Sequence, residues 1–323
     1  MSLMSLFLFS CVMWGRLTSN IHILVLTTNA FRTKLEEMFP THLLHIDYMT
    51  MDVRNIFGAG SARLFIYQYP KINKYQKILY LDLDALVIAP LDRIFNKRLP
   101  AHLYAKREGS ITEGPWGMGL FTEVQLAQTT DKSAFNTGVL LFNRGGAAST
   151  IFKNTLEQIQ RYIHTPREIA YPPCLEQPFL VHTAKMMRSI DTDALDGDVA
   201  FNLTEWGSNY TISHFLGGPG DSVSKWDKMT RYIRAWRPGP PVPFTKPWKG
   251  KWNQSNGKRV MVEFRGDGVH VGNERLNCMV DADDCIAMDN YIGRFLRGRT
   301  LFILLNRETL ELTSGGGAPL RRG

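Results

Sequence analysis

Lys77-Ile78-Leu79-Tyr80-Leu81-Asp82-Leu83-Asp84-Ala85-Leu86-Val87-Ile88 places two carboxylates two residues apart inside an otherwise apolar run. Such a run reads as a strand buried on both faces, as in a parallel sheet. Side chains at i and i+2 leave a strand on one side, so Asp82 and Asp84 are expected to converge where the strand ends. In open α/β sheets that edge is where ligands bind. Two carboxylates there repel each other unless a cation lies between them. Oxygen ligands of this kind suit Mg²⁺ or Mn²⁺, ions that commonly also hold substrate phosphates. The ordinary alternative for an isolated Asp-x-Asp is a solvated turn or a pair of helix caps. Here Val87-Ile88-Ala89-Pro90-Leu91-Asp92 re-enters the core behind it.

The chain has 323 residues, enough for one large domain with a small appendage. With 21% charged and 44% hydrophobic residues it has the composition of a soluble globular protein. A formal net charge of +8 suits an anionic ligand, but the basic residues are scattered, which argues against nucleic acid. Four cysteines are too few and too spread for a disulfide framework or a zinc site. Residues 1–20 contain a short apolar run, Leu3 to Trp14, and are expected to be a leader, a weak signal or a membrane anchor. Sequons at Asn202, Asn209 and Asn253 fit a Golgi or secretory lumen.

Ile21 to Leu26 reads as a first buried strand, followed by Thr27-Thr28-Asn29 and a helix from Phe31 to Phe39. Thr28 and Asn29 either touch a base or ribose, or cap that helix. Ser61 to Tyr67 is expected to be a short helix that brings Arg63 near the functional end of the Asp strand. Lys106 to Gly119, rich in Gly, is expected to be a mobile substrate loop. Ala134 to Asn143 reads as an Asn-x-Gly turn running into a buried strand. Thr150 to His164 reads as a helix with Ile151, Leu156, Ile159 and Ile163 on its core face. Glu176-Gln177-Pro178 opens a further helix.

Thr211 to Leu216 reads as a short strand that breaks into the glycines Gly217, Gly218 and Gly220. Lys225 to Trp236 is a helix capped by Ser222 or Ser224. A lysine in a first turn opposes the helix dipole, and an anionic ligand at that helix start would explain it. Arg237 to Trp248 is proline-rich, with residues 237–249 expected as a linker. Short strands beyond it, over 250–313, are expected to form a β-rich appendage before a disordered tail at 314–323. The second Asp-x-Asp, Asp281 to Asp283, is expected to be a solvated turn.

Six stretches in this order resemble glycosyltransferase family 8, the glycogenin-like retaining enzymes with the GT-A fold. They are Leu26-Thr27-Thr28-Asn29, Arg63, Leu81 to Val87, Phe135-Asn136-Thr137-Gly138-Val139, Glu176-Gln177 and His214-Phe215-Leu216-Gly217, and they span residues 21–236. The resemblance implies an α/β, Rossmann-like, mixed and mostly parallel sheet flanked by helices. It also implies transfer of a sugar from a UDP-sugar to a hydroxyl acceptor, with Mn²⁺ or Mg²⁺ held by Asp82, Asp84 and His214. Under it Leu26, Thr28, Asn29 and Leu83 would line the nucleotide site with Asp82. Arg63, Asn136, Glu176 and Gln177 would face the sugar or diphosphate, and Gly217 with Lys225 the phosphates.

Three positions depart from the family pattern. The chain between Asn29 and Arg63 is short by about one βα unit. Glu176 stands where the family has Asp. The family's Lys-Pro-Trp is matched either by Lys225-Trp226 or, beyond the linker, by Lys246-Pro247-Trp248. The short segment leaves a second reading, an inactive nucleotide- or carbohydrate-binding protein on the same fold.

Overall fold

The computed structural model describes residues 2–17, 20–38, 45–98, 100, 102–165, 174–217, 221–237, 248–253, 259–265, 268–271, 274–276, 278–280, 285–288, 291–296, 301–306 and 312–319. The first element is helix α1 (Ser2–Met13), in the stretch expected as a leader. It lies inside the molecule. Met4, Leu6, Leu8, Phe9, Val12 and Met13 are all buried, and a helix apolar on every side finds its place between other elements. The buried Ser10 hydroxyl donates to the Phe7 carbonyl at 2.7 Å and accepts from the Val87 amide at 3.0 Å, pinning the helix to the strand behind the Asp pair.

Strand β1 (Ile23–Thr27) runs into helix α2 (Asn29–Met38) and then into β2 (Ile46–Thr50), a strand the sequence reading missed. The two strands pair in parallel. Helix α3 (Ile56–Ser61) continues as a 3-10 helix over Ala62–Gln68, which carries the buried Arg63. The long apolar run is divided: β3 (Lys77–Leu81) and β4 (Ala85–Val87) flank the Asp82-Leu83-Asp84 break and belong to different sheets. Both pair antiparallel with their neighbours, where parallel pairing was expected.

Helix α4 (Asp92–Phe95) and strand β5 (Leu103–Ser110) follow. The first residues of the expected mobile loop are thus in a strand, and Lys106 and Arg107 form ion pairs with Asp196 and Asp193. Two short 3-10 turns, Gly114–Trp116 and Met118–Leu120, lead to α5 (Glu123–Gln128) and the eleven-residue β6 (Ser133–Asn143), buried along almost its whole length. Helix α6 (Ala148–Ile163) buries Ile151 and Ile159, half-buries Leu156 and leaves Ile163 exposed, so the core stripe ends a turn earlier than expected. Helix α7 (Gln177–Met186), β7 (Ile190–Asp191), β8 (Val199–Phe201), β9 (Ile212–His214) and α8 (Lys225–Ala235) complete this part.

The sheets order as β1-β2, β3-β6-β5-β7 and β4-β9-β8. Parallel pairs join β1 to β2, β5 to β7 and β8 to β9; antiparallel pairs join β3 to β6, β5 to β6 and β4 to β9. The fold is a mixed α/β architecture with its antiparallel pairing concentrated around the Asp pair. The largest core packs β5, β6, α6 and α7 against the 3-10 helix.

Nine further strands form a fourth sheet, antiparallel throughout: β10 (Trp248–Asn253), β11 (Arg259–Arg265), β12 (Gly268–Val271), β13 (Glu274–Leu276), β14 (Cys278–Val280), β15 (Cys285–Met288), β16 (Tyr291–Leu296), β17 (Leu301–Asn306) and β18 (Leu312–Pro319). It begins within the expected linker, and β18 returns through part of the expected tail to pair with β10 and β17. The sheet is fastened to α1: Arg294 donates to the Met13 carbonyl at 2.7 Å, and Leu305 shares a core cluster with Leu6, Phe9, Trp14 and Trp236. Asp281 to Asp283 and Lys246 lie outside the described residues.

Candidate active site

Two registers assemble the site. Antiparallel pairing of β4 with β9 sets Ala85 opposite His214, and the Phe215 amide donates to the Asp84 carbonyl at 2.9 Å. Pairing of β3 with β6 sets Leu81 opposite Val139, and the Asp82 amide donates to the Gly138 carbonyl at 2.8 Å. Asp82, Asp84 and His214 therefore meet at one point, each offering a ligand atom within 4.8 Å of the others.

Asp84 is buried and is gripped from two sides. His214 Nε2 lies 3.0 Å from its Oδ1, and the Lys225 ammonium pairs with its Oδ2. Burial by itself would raise this carboxyl, but the His214 hydrogen bond and the charges of His214 and Lys225 outweigh it and hold it down at about 2. Lys225 opens α8, whose cap is Ser224, accepting from the Asp227 amide at 3.1 Å. Gly217 lies directly against the Lys225 side chain, a Cβ there standing 3.0 Å from its Cε.

Asp82 is held by Arg63, whose Nη2 donates to its Oδ1 at 3.0 Å, and by the Tyr80 hydroxyl. The Arg63 guanidinium also donates to the Thr137 carbonyl, pairs with Glu176 at 3.2 Å and stacks 4.6 Å from the Tyr80 ring centroid. Burial works against charge on Arg63, yet Asp82, Tyr80 and Glu176 keep it more firmly protonated than an ordinary arginine. Glu176 goes the other way. Its burial raises the carboxyl despite Arg63. Just before Glu176, Cys174 and Leu175 both take left-handed backbone with φ of 62° and 57°. Two such residues in succession are costly, and strain of this kind is typically retained where side chains must be aimed. Here it aims Glu176 at Arg63, and Gln177 follows, accepting from the Thr137 amide at 3.1 Å.

Asn136 accepts from the Gly138 amide at 2.7 Å and donates at the same distance to Glu108 on β5. Glu108, Thr137 and Tyr80 belong to the site and were not picked out from the sequence. Glu108 lay in a stretch read as a loop; only its strand pairing with β6 brings it here. Burial raises its carboxyl, the Asn136 hydrogen bond opposing.

The first-strand residues lie to one side. Leu26 and Thr28 line a cavity of about 510 Å³ that also reaches Asp82 and Leu83, so these expected nucleotide residues share one space with the first residue of the Asp pair. Asn29 opens α2 and is exposed.

The residues fit a divalent cation. Two carboxylate oxygens and an imidazole nitrogen converge, a donor set that favours Mn²⁺ over the harder Mg²⁺. The space they enclose is kept by Gly138, where a Cβ would stand 2.8 Å from both Asp82 Oδ2 and His214 Nε2. His214 Nδ1 is buried and has no hydrogen-bond partner among the described residues.

No family model and no curated protein matches the chain. The solved structures it matches include glycosyltransferases. The galactosyltransferase LgtC, solved with donor and acceptor sugar analogs, is 18% identical over 74% of this chain and 93% of its own, with a TM-score of 0.48. Mouse xyloside xylosyltransferase 1 is 14% identical over 69% of this chain and 93% of its own, with a TM-score of 0.46. GlyE of Streptococcus pneumoniae TIGR4 is 21% identical over 59% of this chain and 42% of its own, at 0.38.

Proposed function

We propose that the chain is a metal-dependent, retaining glycosyltransferase that moves a sugar from a UDP-sugar to a hydroxyl acceptor. The observation that carries this is the convergence of Asp82, Asp84 and His214 with two cations, Arg63 and Lys225, with Asp82 also lining the cavity that Thr28 lines. Asp82, Asp84 and His214 would hold Mn²⁺, which when bound supplies Lewis-acid charge to a departing diphosphate. Lys225, fixed at the start of α8 beside Gly217, adds positive charge on the phosphate side. Arg63 does the same from the β3 side. Leu26, Thr28 and Leu83 would touch the nucleoside.

Glu176 and Gln177 support a particular division of labour. The Glu176 carboxylate is buried against Arg63, so it positions the guanidinium; a nucleophile would need a lone pair free to reach the sugar. Gln177 orients the Thr137 backbone beside it. This favours retention by same-face attack, with the leaving diphosphate accepting the acceptor's proton, over a covalent intermediate on the enzyme.

The second reading, an inactive binder, draws on the facing edges of β1 and β3, with which no strand pairs among the described residues. Incubation with a panel of UDP-sugars and Mn²⁺ tests the proposal: release of UDP from at least one donor is expected, and no release from any donor overturns it.

A further inference from the structure

Helix α3 is six residues long and carries two glycines, Gly58 and Gly60. Glycine is the poorest helix former after proline, so each calls for a reason other than the helix. Neither has the left-handed backbone that favours glycine. Space separates the two. A Cβ at Gly58 would meet Asn55 Oδ1 at 3.4 Å and Val53 Cγ1 at 3.8 Å, which are ordinary contacts. A Cβ at Gly60 would overlap Glu176 Oε2 and stand 3.3 Å from its Cδ, with Leu175 Cδ1 at 3.4 Å. Glu176 Oε2 thus occupies the place where another residue at 60 would put its side chain.

A carboxylate at the end of a side chain can usually swing aside, but this one is in use. Glu176 is buried, and its Oε1 lies 3.2 Å from Arg63 Nε, so any swing takes it off the guanidinium. Its backbone has little freedom to follow, lying between the left-handed Leu175 and the start of α7. Gly60 meets the same guanidinium a second time, its carbonyl accepting from Arg63 Nε at 3.2 Å. Arg63 in turn donates to Asp82 Oδ1 at 3.0 Å. One chain of contacts therefore runs from Gly60 through Glu176 and Arg63 to the first carboxylate of the cation triad.

We infer that Gly60 is a positioning residue of the active site: its missing side chain lets Glu176 reach Arg63 and so fixes the guanidinium beside Asp82. This rests on the transferase reading, in which Arg63 brings positive charge to the departing diphosphate. Residues 60 and 176 form a matched pair. A side chain at 60 and the full reach of Glu176 cannot coexist, so with alanine at 60 the carboxylate leaves Arg63 and the guanidinium loses one of its holders. The helix itself gains from alanine, which is the better helix former. The damage therefore falls on the reaction more than on the fold. A carboxylate one methylene shorter at 176 draws back from the same place and leaves room for the methyl group.

The test is a double-mutant cycle in the full chain, read as UDP release from the best donor of the panel. Gly60→Ala should lower kcat at least tenfold, about the scale of a displaced charge-stabilising group, because Arg63 acts on charge that develops in the transition state. KM should change less than threefold, a split that a general loosening of the site would not give. Gly58→Ala, in the same helix, should change neither. Glu176→Asp should itself lose activity as its carboxylate draws back from Arg63, and in that background Gly60→Ala should cost less than about threefold more. Circular dichroism checks the fold of each variant. If Gly60→Ala alone fails to fold, the double variant should fold and match Glu176→Asp; a double variant that is unfolded or tenfold worse overturns the inference. So does near-normal kcat in Gly60→Ala, an equal loss in Gly58→Ala, or the same cost of Gly60→Ala beside aspartate as beside glutamate. If the parent chain releases UDP and the cycle shows no coupling, this inference falls alone. If the parent releases no UDP from any donor, the transferase reading falls and takes this inference with it.

Discussion

Gly138 leaves His214 no room for a methyl group: a Cβ built there would stand 2.8 Å from Nε2, nearer still to Cε1, and 2.8 Å from Asp82 Oδ2. Its backbone is otherwise an ordinary strand backbone, so the glycine serves the close approach alone. Gly138→Ala should therefore push the ring and the carboxylate apart while the long, buried β6 persists. The expected loss is at least tenfold in Mn²⁺ affinity with a stability cost of about 1–3 kcal/mol from overpacking. Titration with Mn²⁺ beside a urea unfolding curve checks it; unchanged metal affinity would mean that the cradle is not a metal site.

Asp84→Ala and His214→Ala each remove one donor from the triad. Turnover should fall by roughly 100-fold or more, the scale seen when a principal charge-stabilising group is lost. Steady-state assays with the best donor, alongside circular dichroism, separate this from misfolding. A folded variant with near-normal turnover would assign the residue to structure.

Lys225 and a divalent cation compete for the same carboxylate. In the absence of UDP, Lys225→Met should bind Mn²⁺ several-fold more tightly, because the ammonium on Asp84 is gone. UDP should bind about tenfold more weakly, having lost a charge-assisted contact at the start of α8. Calorimetry of the parent chain should show UDP binding with Mn²⁺ and little with EDTA. Opposite shifts for metal and nucleotide are the signature; parallel shifts would place Lys225 outside the site.

The depressed Asp84 carboxyl also sets a pH dependence of stability. Its folded value of about 2 lies below the ordinary 3.8, so its pairing stabilises the fold fully above pH 4 and is lost as pH falls through 2. The contribution is roughly 2 kcal/mol, about half of it disappearing between pH 5 and pH 3. Urea unfolding in EDTA should show the parent chain losing about 1 kcal/mol more than Asp84→Asn over that range. Identical pH profiles would show that His214 and Lys225 do not hold the carboxylate in solution.

Short-range pattern singled out the Asp pair and narrowed the cap of α8 to Ser222 or Ser224, because each sits at a break whose residue types are set locally; His214 and Arg63 were singled out only through the family resemblance. Pairing was not legible in the same way. The run from Lys77 to Ile88 has one apolar signature, yet its halves enter different sheets, and only the partners β6 and β9 decide that. Glu108 and Tyr80 were missed for the same reason, since their roles come from contacts made across strands. Strand β2 hid in Ile46 to Thr50, where Asp47 and Thr50 interrupt the apolar pattern; Asp47 pairs with Lys71 and accepts from the Tyr69 hydroxyl. The apolar stretch before Trp14 has a composition that fits a leader as well as a core helix, and its packing as α1 was not legible in that composition.

Thr28 and Asp82 line a cavity that also runs along β1 and β3, and among the described residues no strand pairs with their facing edges, so the base is expected to have one open side. Affinity for a nucleotide then comes mainly from the metal, Lys225 and Arg63, which see only the diphosphate, and charge-assisted contacts of that kind survive the loss of base contacts. UDP, GDP and ADP should therefore compete with a labelled UDP-sugar within about tenfold of one another, a spread of roughly 1.4 kcal/mol. Phe31, half exposed at the cavity mouth, is the residue able to change this by stacking on the base. If UDP wins by more than tenfold and Phe31→Ala abolishes the preference, the chain closes its own pocket and the open-side argument fails. If no nucleotide competes even with Mn²⁺ present, the transferase reading fails with it.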